Sequence, residues 1–171
     1  MNEIEKLKEK QEELKRKLEE LGTQINELEE KEITKSGKRW RGARDRFYWY
    51  IESDCEVYGE YEKEDDYDNA RYIIGNYYKT KEEAEKAVEK IKIYTQLKDL
   101  ALRLNNGEKI DWENDNRAKW HICYRNGTAL GFDDSYTCAL QDLGQIYCLD
   151  KNFLEIAKKE IGEEKLKKLF E

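Results

Sequence analysis

The chain has no proline in 171 residues, where average usage would give about eight. Together with its wealth of Lys, Glu, Asn, Ile and Tyr, this reflects the coding bias of an AT-rich genome more than any demand of fold. It has no apolar run near the roughly 18 residues of a membrane-spanning helix, and its first ten residues, MNEIEKLKEK, lack the apolar centre of a signal peptide. We therefore expect a cytoplasmic protein with no membrane contact. Histidine is nearly absent too: His121 stands alone. A Ser/His/Asp triad or a Cys/His dyad would have that one base, and nothing beside it resembles a nucleophile elbow. The GxGxxG, Walker and HExxH patterns are missing. No catalytic residue is assigned, and no enzyme activity or cofactor is expected.

Cysteine is present but unpatterned. Cys55, Cys123, Cys138 and Cys148 form no CxxC pair. His121 and Cys123 could share one face of a strand and, with Cys138 and Cys148, surround zinc, but the knuckle spacings are absent. Reduced thiols packed as small apolar groups are the expectation, with no metal site.

Charge is abundant. Charged residues make up 42 % of the chain, apolar ones 38 %, and the net charge is −7. Core-forming material is scarce for this length, so part of the chain should be solvated helix. The negative balance weighs against a general nucleic-acid or anionic-membrane binder, because phosphates would be repelled.

Residues 1–32 supply that helix. Ile4, Leu7, Gln11, Leu14, Leu18, Leu21, Ile25 and Leu28 alternate steps of three and four. This two-per-heptad stripe is too narrow for an ordinary core-facing helix and fits a coiled-coil seam. A lone helix of this kind is marginal, and pairing would bury the stripe. We expect a homodimer, with Gln11 helping to set register. In a parallel pair Glu3 would face Lys8 favourably, but Lys10 would face Lys15, so orientation stays open. The other reading is a helix folded back on its own domain.

Residues 33–46 are the basic exception and read as a linker, with Ser36, Gly37 and Gly42 as breakers. Lys38, Arg39, Arg41, Arg44 and Arg46 beside Trp40 are a candidate phosphate-binding patch. Alternatively, the segment pairs with the acidic stretch downstream. That stretch, Tyr58 to Tyr78, holds six tyrosines and six carboxylates, opposed by Lys63 and Arg71. Glu60, Tyr61, Glu62, Glu64, Asp65, Asp66, Tyr67 and Asp68 form a candidate partner-binding ribbon. Carboxylates spaced along a strand can imitate phosphates and occupy an Arg/Lys channel, while tyrosines add stacking and hydroxyl contacts. A solvated loop over packed tyrosines is the bland reading.

Residues 47–171 read as an α+β domain. FYWYIES and CEVYGEY suit a hairpin, and ARYIIGNYY is strand-like. Thr80 with Glu83 forms a capping box for a helix carrying Ala84, Ala87, Val88, Ile91, Tyr94, Leu97, Ala101 and Leu104 at helical spacing. Asn105-Asn106-Gly107 should close it in left-handed conformation. KWHICYRNGTALGF reads as a second hairpin with Asn126-Gly127 in its turn, GQIYCL as a short strand, and Asp150 as the cap of a closing helix with Phe153, Leu154, Ala157 and Ile161. Gly162 should break that helix.

GNYYKTKEEAEKAVEKI and GQIYCLDKNFLEIAKKEI resemble each other. Gly75 matches Gly144 and Tyr78 matches Tyr147. One inserted residue then aligns Lys81 with Lys151, Glu85 with Glu155, Ala87 with Ala157 and Ile91 with Ile161. The expected architecture is an N-terminal coiled-coil helix followed by two hairpin-strand-helix units from an internal duplication, on one sheet or two.

WRGARDRFYWYIESDCEV, DNARYIIGNYYKTKEEAEKAVEKIK and GQIYCLDKNFLEIAKKEIGEEKLKKLF resemble a widespread group of small proteins in phages and prophages of Firmicutes. Their pattern is a Trp-containing lead-in, a YYYI-type strand and GNxFKTKEEAE. The resemblance covers about residues 40–171. It departs in the lead-in, where a Pro and Gly-Glu commonly stand in place of Arg41–Asp45. It implies a phage accessory protein acting in the cytoplasm of the bacterial host and carries over no catalytic site. The leading expectation is an anti-CRISPR-like inhibitor whose acidic ribbon binds a host defence protein such as a CRISPR effector. A dimeric sponge holding a cyclic dinucleotide or ADP-ribose derivative on the basic segment and Trp40, Trp49 and Trp120 is the alternative. A nucleic-acid accessory protein using residues 35–46 is the third; direct nucleic-acid binding fits the net charge least.

Overall fold

The computed structural model describes residues 3–113, 117–125, 131–137 and 142–170. The architecture is α+β, with a long N-terminal helix followed by small hairpins and helices. Helix α1 spans Glu3–Ser36, so the first residues assigned to the linker complete the helix, and Gly37 at φ +63° ends it. Strands β1 (Phe47–Ile51) and β2 (Val57–Tyr61) form one hairpin. Then come α2 (Asp66–Ile74), α3 (Lys81–Leu104), the hairpin β3 (Lys119–Arg125) with β4 (Gly131–Thr137), α4 (Phe153–Glu160) and α5 (Glu163–Lys167). The hairpins are two separate two-stranded sheets. The second is antiparallel, with Trp120 opposite Tyr136 and Ile122 opposite Asp134. Asn126-Gly127, expected in its turn, lies outside the described residues.

The chain gathers into two compact units, Met1–Tyr50 with Tyr58–Lys81, and Ile51–Val57 with Glu82–Glu171. This division differs from the expected 1–32, 33–46 and 47–171.

In the first unit, the strand-like ARYII is helical. Asp65 is the N-cap and accepts from the Asp68 backbone N–H, the Asp68 side chain reaches back to the cap, and Gly75 closes α2 at φ +83°. The capping box and the left-handed glycine outweigh the β propensity of a five-residue aromatic and branched run. Glu29 ties α1 down: it receives Arg46 Nη1 at 2.6 Å and Trp40 Nε1 at 3.4 Å, with Lys79 Nζ at 3.7 Å.

In the second unit, Ile93, Leu97, Leu100 and Ala101 of α3 pack with Ile122, Cys148, Phe153, Leu154, Ala157, Ile161 and Leu166. This is an aliphatic core built from the 3.6-residue stripe of α3. Ile91 and Tyr94, read as part of that stripe, are exposed. Asn106 at φ +51° and Gly107 at φ +75° close the helix as expected. The glycine break holds as well, with Gly162 at φ +100° between α4 and α5.

The two hairpins share a local plan. Trp49 N–H donates to Tyr78 O at 2.9 Å and Tyr78 N–H returns to Trp49 O at 2.8 Å; Trp120 and Cys148 exchange the same pair at 2.7 and 2.8 Å. Each expected third strand is a single antiparallel bridge, because a helix or its lead-in follows at once; α4 has Asn152 at its N-cap, not the expected Asp150, and no side-chain cap bond. Tyr77 and Tyr147, one residue earlier, are both buried, and each meets a tryptophan from the lead-in, Trp40 at 5.6 Å and Trp112 at 4.9 Å. The structural match is thus Tyr77 with Tyr147 and Tyr78 with Cys148. The extra residue lies between Gly144 and Tyr147, ahead of the position the sequence comparison gave it.

Candidate functional site

Two carboxylates of the ribbon are interior groups. Glu62 is 0 % exposed and Asp68 1 %, which corrects their reading as partner-facing residues. Residue 62 continues β2 inward, where Arg41 grips it by two hydrogen bonds, Nε to Oε2 at 3.2 Å and Nη2 to Oε1 at 3.0 Å. Tyr77 Oη donates to Oε2 at 2.7 Å, and the Glu64 N–H to Oε1 at 2.8 Å. Asp68 receives Tyr48 Oη at 2.6 Å and the Lys63 N–H at 2.7 Å. Arg71 Nη1 donates to the same Tyr48 oxygen at 2.7 Å. Such charges persist inside only when every lone pair finds a donor.

The titration follows. Burial would raise the Asp68 carboxyl, but hydrogen bonds from Tyr48 and from the Lys63 and Asp65 backbones outweigh it and hold it below the usual range. Burial, then the Asp68 bond, pushes the Tyr48 phenol well up; burial, then the Glu62 bond, does the same to Tyr77. Both phenols are therefore fixed donors at neutral pH. Their rings stack at 3.9 Å and 10°, so the two Tyr–carboxylate–Arg sets are neighbours.

These buried anchors, through the backbone N–H groups of Lys63, Glu64 and Asp65 that they accept, hold the stretch between them, and Glu60 and Tyr61 lead into it. Glu60 is half-buried beside Lys63 at 3.0 Å. Tyr61, Glu64, Asp65, Asp66 and Tyr67 are exposed, and Glu64 sits at φ +60°. Among the basic residues, Arg41 is committed to Glu62 and Arg46 to Glu29. Arg39 donates to Tyr72 O and lies over the Tyr72 ring at 4.6 Å. Trp40 packs on Tyr77, Arg44 is exposed, and Lys38 is exposed but engaged. The segment does pair with the ribbon, through Arg41 and Glu62. Nothing in the sequence separates Glu62 and Asp68 from their exposed neighbours except position: Glu62 two residues past Gly59-Glu60 on the inward strand face, and Asp68 at the third place of a capping box.

The seam residues of α1 stay exposed in the single chain: Ile4, Leu7, Leu14, Leu18, Leu21, Ile25 and Leu28 range from 48 to 69 %, and Gln11 is exposed with them. Among the described residues no three His, Cys, Asp or Glu side chains are grouped to hold a metal. Cys55, Cys123 and Cys148 form no disulfide, and Cys55 is exposed rather than packed as a small apolar group; Cys138 lies outside the described residues. Cys148 is buried, and burial raises its thiol. Among the described residues no helix is long and apolar enough to cross a membrane.

No family model matches the chain, and no curated protein or solved structure matches it.

Proposed function

We propose that the protein is a non-enzymatic, phage-type accessory protein of the bacterial cytoplasm that binds and inhibits a host defence component through its acidic face. One observation carries this reading: the exposed Glu64, Asp65, Asp66 and Tyr67 stand between two buried, fully bonded carboxylates, Glu62 and Asp68, with exposed Tyr61 just ahead of the first. A solvated acidic loop has no need of such anchors. A face meant to meet a basic channel gains from having its charges positioned in advance, because less ordering entropy is lost on binding. The commitment of Arg39, Arg41 and Arg46 to groups of the same unit weighs against the sponge. The bare seam of α1 supports a homodimer presenting the face twice.

The test is phage plating on cells whose defence system restricts the phage. Wild-type protein should restore plaques, and Glu64→Gln with Asp65→Asn and Asp66→Asn should not. Equal rescue by that variant, or no rescue by the wild type, would sink the reading. Loss confined to Arg39→Gln with Arg44→Gln would turn it to the sponge. The dimer is tested by sedimentation: Leu14→Asp with Leu18→Asp should convert it to monomer, since the seam cannot take buried charge. A wild-type monomer at micromolar concentration would remove the dimer.

A further inference from the structure

The first hairpin carries two aromatic faces, and they differ in one respect. On one face Tyr48, Tyr50 and Tyr58 follow one another at 6.1 and 6.2 Å, and the guanidinium of Arg71 lies over Tyr50 at 3.5 Å. On the other, Phe47 meets Trp49 at 5.3 Å and Tyr61 at 4.9 Å, each edge to face. Alternation along the strands puts these two sets on opposite sides. Among the described residues no guanidinium or ammonium covers Phe47, Trp49 or Tyr61. Phe47 and Tyr61 are 40 and 56 % exposed.

Gly59 makes this second face. A Cβ there would lie 2.3 Å from two atoms of the Phe47 ring, so only glycine lets the ring cross the neighbouring strand to reach Tyr61. Exposed aromatic area of this kind is costly in water. Charge chooses the occupant. Glu60, beside Tyr61, faces the other side of the strand and pairs with Lys63 at 3.0 Å, but exposed Glu64, Asp65 and Asp66 follow a few residues on and outnumber that lysine, so the surroundings favour a cation. We infer that Phe47, Trp49 and Tyr61 form a platform that receives an arginine side chain of the partner, repeating from outside what Arg71 does from within. Arginine fits better than lysine because its guanidinium is planar, weakly hydrated and stacks on rings. The inference rests on the acidic-face reading and specifies its partner as an arginine-bearing surface.

Labelled hexa-arginine and hexa-lysine peptides are the probes, with binding followed by fluorescence anisotropy. Wild-type protein should prefer hexa-arginine by about three- to fivefold, the range of an exposed cation–π contact. Tyr61→Leu keeps an apolar side chain without a π face and should bring the ratio to about one. Gly59→Ala should do the same by displacing Phe47, with circular dichroism checking that it folds; Tyr61→Leu, at an exposed position, stands if it does not. Glu64→Gln with Asp65→Asn and Asp66→Asn should weaken both peptides and leave the ratio intact. Equal affinities, or a ratio unchanged in Tyr61→Leu, would overturn the platform while the amide result still supports the acidic face. Unchanged affinity in the amide variant would overturn the acidic face, and a surviving ratio would still support the platform. No binding of either peptide would overturn both.

Discussion

Tyr77 and Tyr147 hold matching places beside two hairpins, yet their surroundings differ. Tyr77 stacks on Tyr48 and donates to the buried Glu62. Tyr147 leans on Trp112 and His121, and its hydroxyl accepts from the Asp142 N–H. The same contrast runs through the units that contain them. The first closes around carboxylates, guanidinia and phenols; the second closes mainly around Leu, Ile, Phe and Ala, with Asn105 and Lys119 as buried polar residues. A backbone plan of hairpin, bridge and following helix thus accepts two different interiors. The polar interior is the one beside the exposed acidic and aromatic residues, which suits a surface whose side chains must be held in one geometry.

The largest effect should come from breaking each interior at its centre. Glu62→Ala leaves Arg41 and Tyr77 without their acceptor and should cost about 3 kcal/mol or more, as removal of one partner from a buried pair does. Phe153→Ala empties a site in the second core and should cost about 3–5 kcal/mol. Hydrogen exchange should separate them: Glu62→Ala should loosen amides of β1, β2 and α2, and Phe153→Ala those of α4 and β3. Matching patterns for both variants would mean that the contrast between the units has no energetic content.

Acid should sharpen the contrast further. The folded Asp68 carboxyl lies below its ordinary value, so the unfolded chain binds the proton more readily. The stability this carboxylate supplies is therefore complete above the ordinary aspartate range, about pH 4, and is lost as pH falls through the folded value. Thermal midpoints read by circular dichroism should fall on that acid side. The fall should be shallower in Asp68→Asn, which starts lower because its amide cannot accept from every donor. An equally steep fall in that variant would move the acid sensitivity to other groups.

The sequence carried the long helix α1, both hairpins, much of the α3 stripe with its Asn-Asn-Gly close and the likeness of the two bridge-to-helix junctions, because each depends on local periodicity or turn chemistry. It misled at α2, where Ala70–Ile74 looks like a strand while the deciding signals, Asp65 with Asp68 and then Gly75, lie at the ends. It also hid the interior role of Glu62, since a buried carboxylate and a solvated one have the same spelling. Trp40 and Trp112, each seven residues ahead of its hairpin, were a readable repeat signal that pointed to the buried Tyr77 and Tyr147.

The smallest difference is the most direct comparison, one hydroxyl removed at each matching place. Tyr77→Phe keeps the ring stacked on Tyr48 but deprives the buried Glu62 of a donor and the Gly42 N–H of its acceptor. Unsatisfied buried groups of this kind cost about 1–3 kcal/mol. Tyr147→Phe removes an acceptor from the Asp142 N–H, at an exposed residue where water can replace it, and the net loss of such a hydrogen bond is about 0.5–1 kcal/mol. Urea midpoints of the two variants should differ in that order, with unchanged slopes. A larger loss at Tyr147 would show that the second unit leans on its few polar contacts as heavily as the first does, and the division of the molecule into a polar and a mainly aliphatic interior would have to be abandoned.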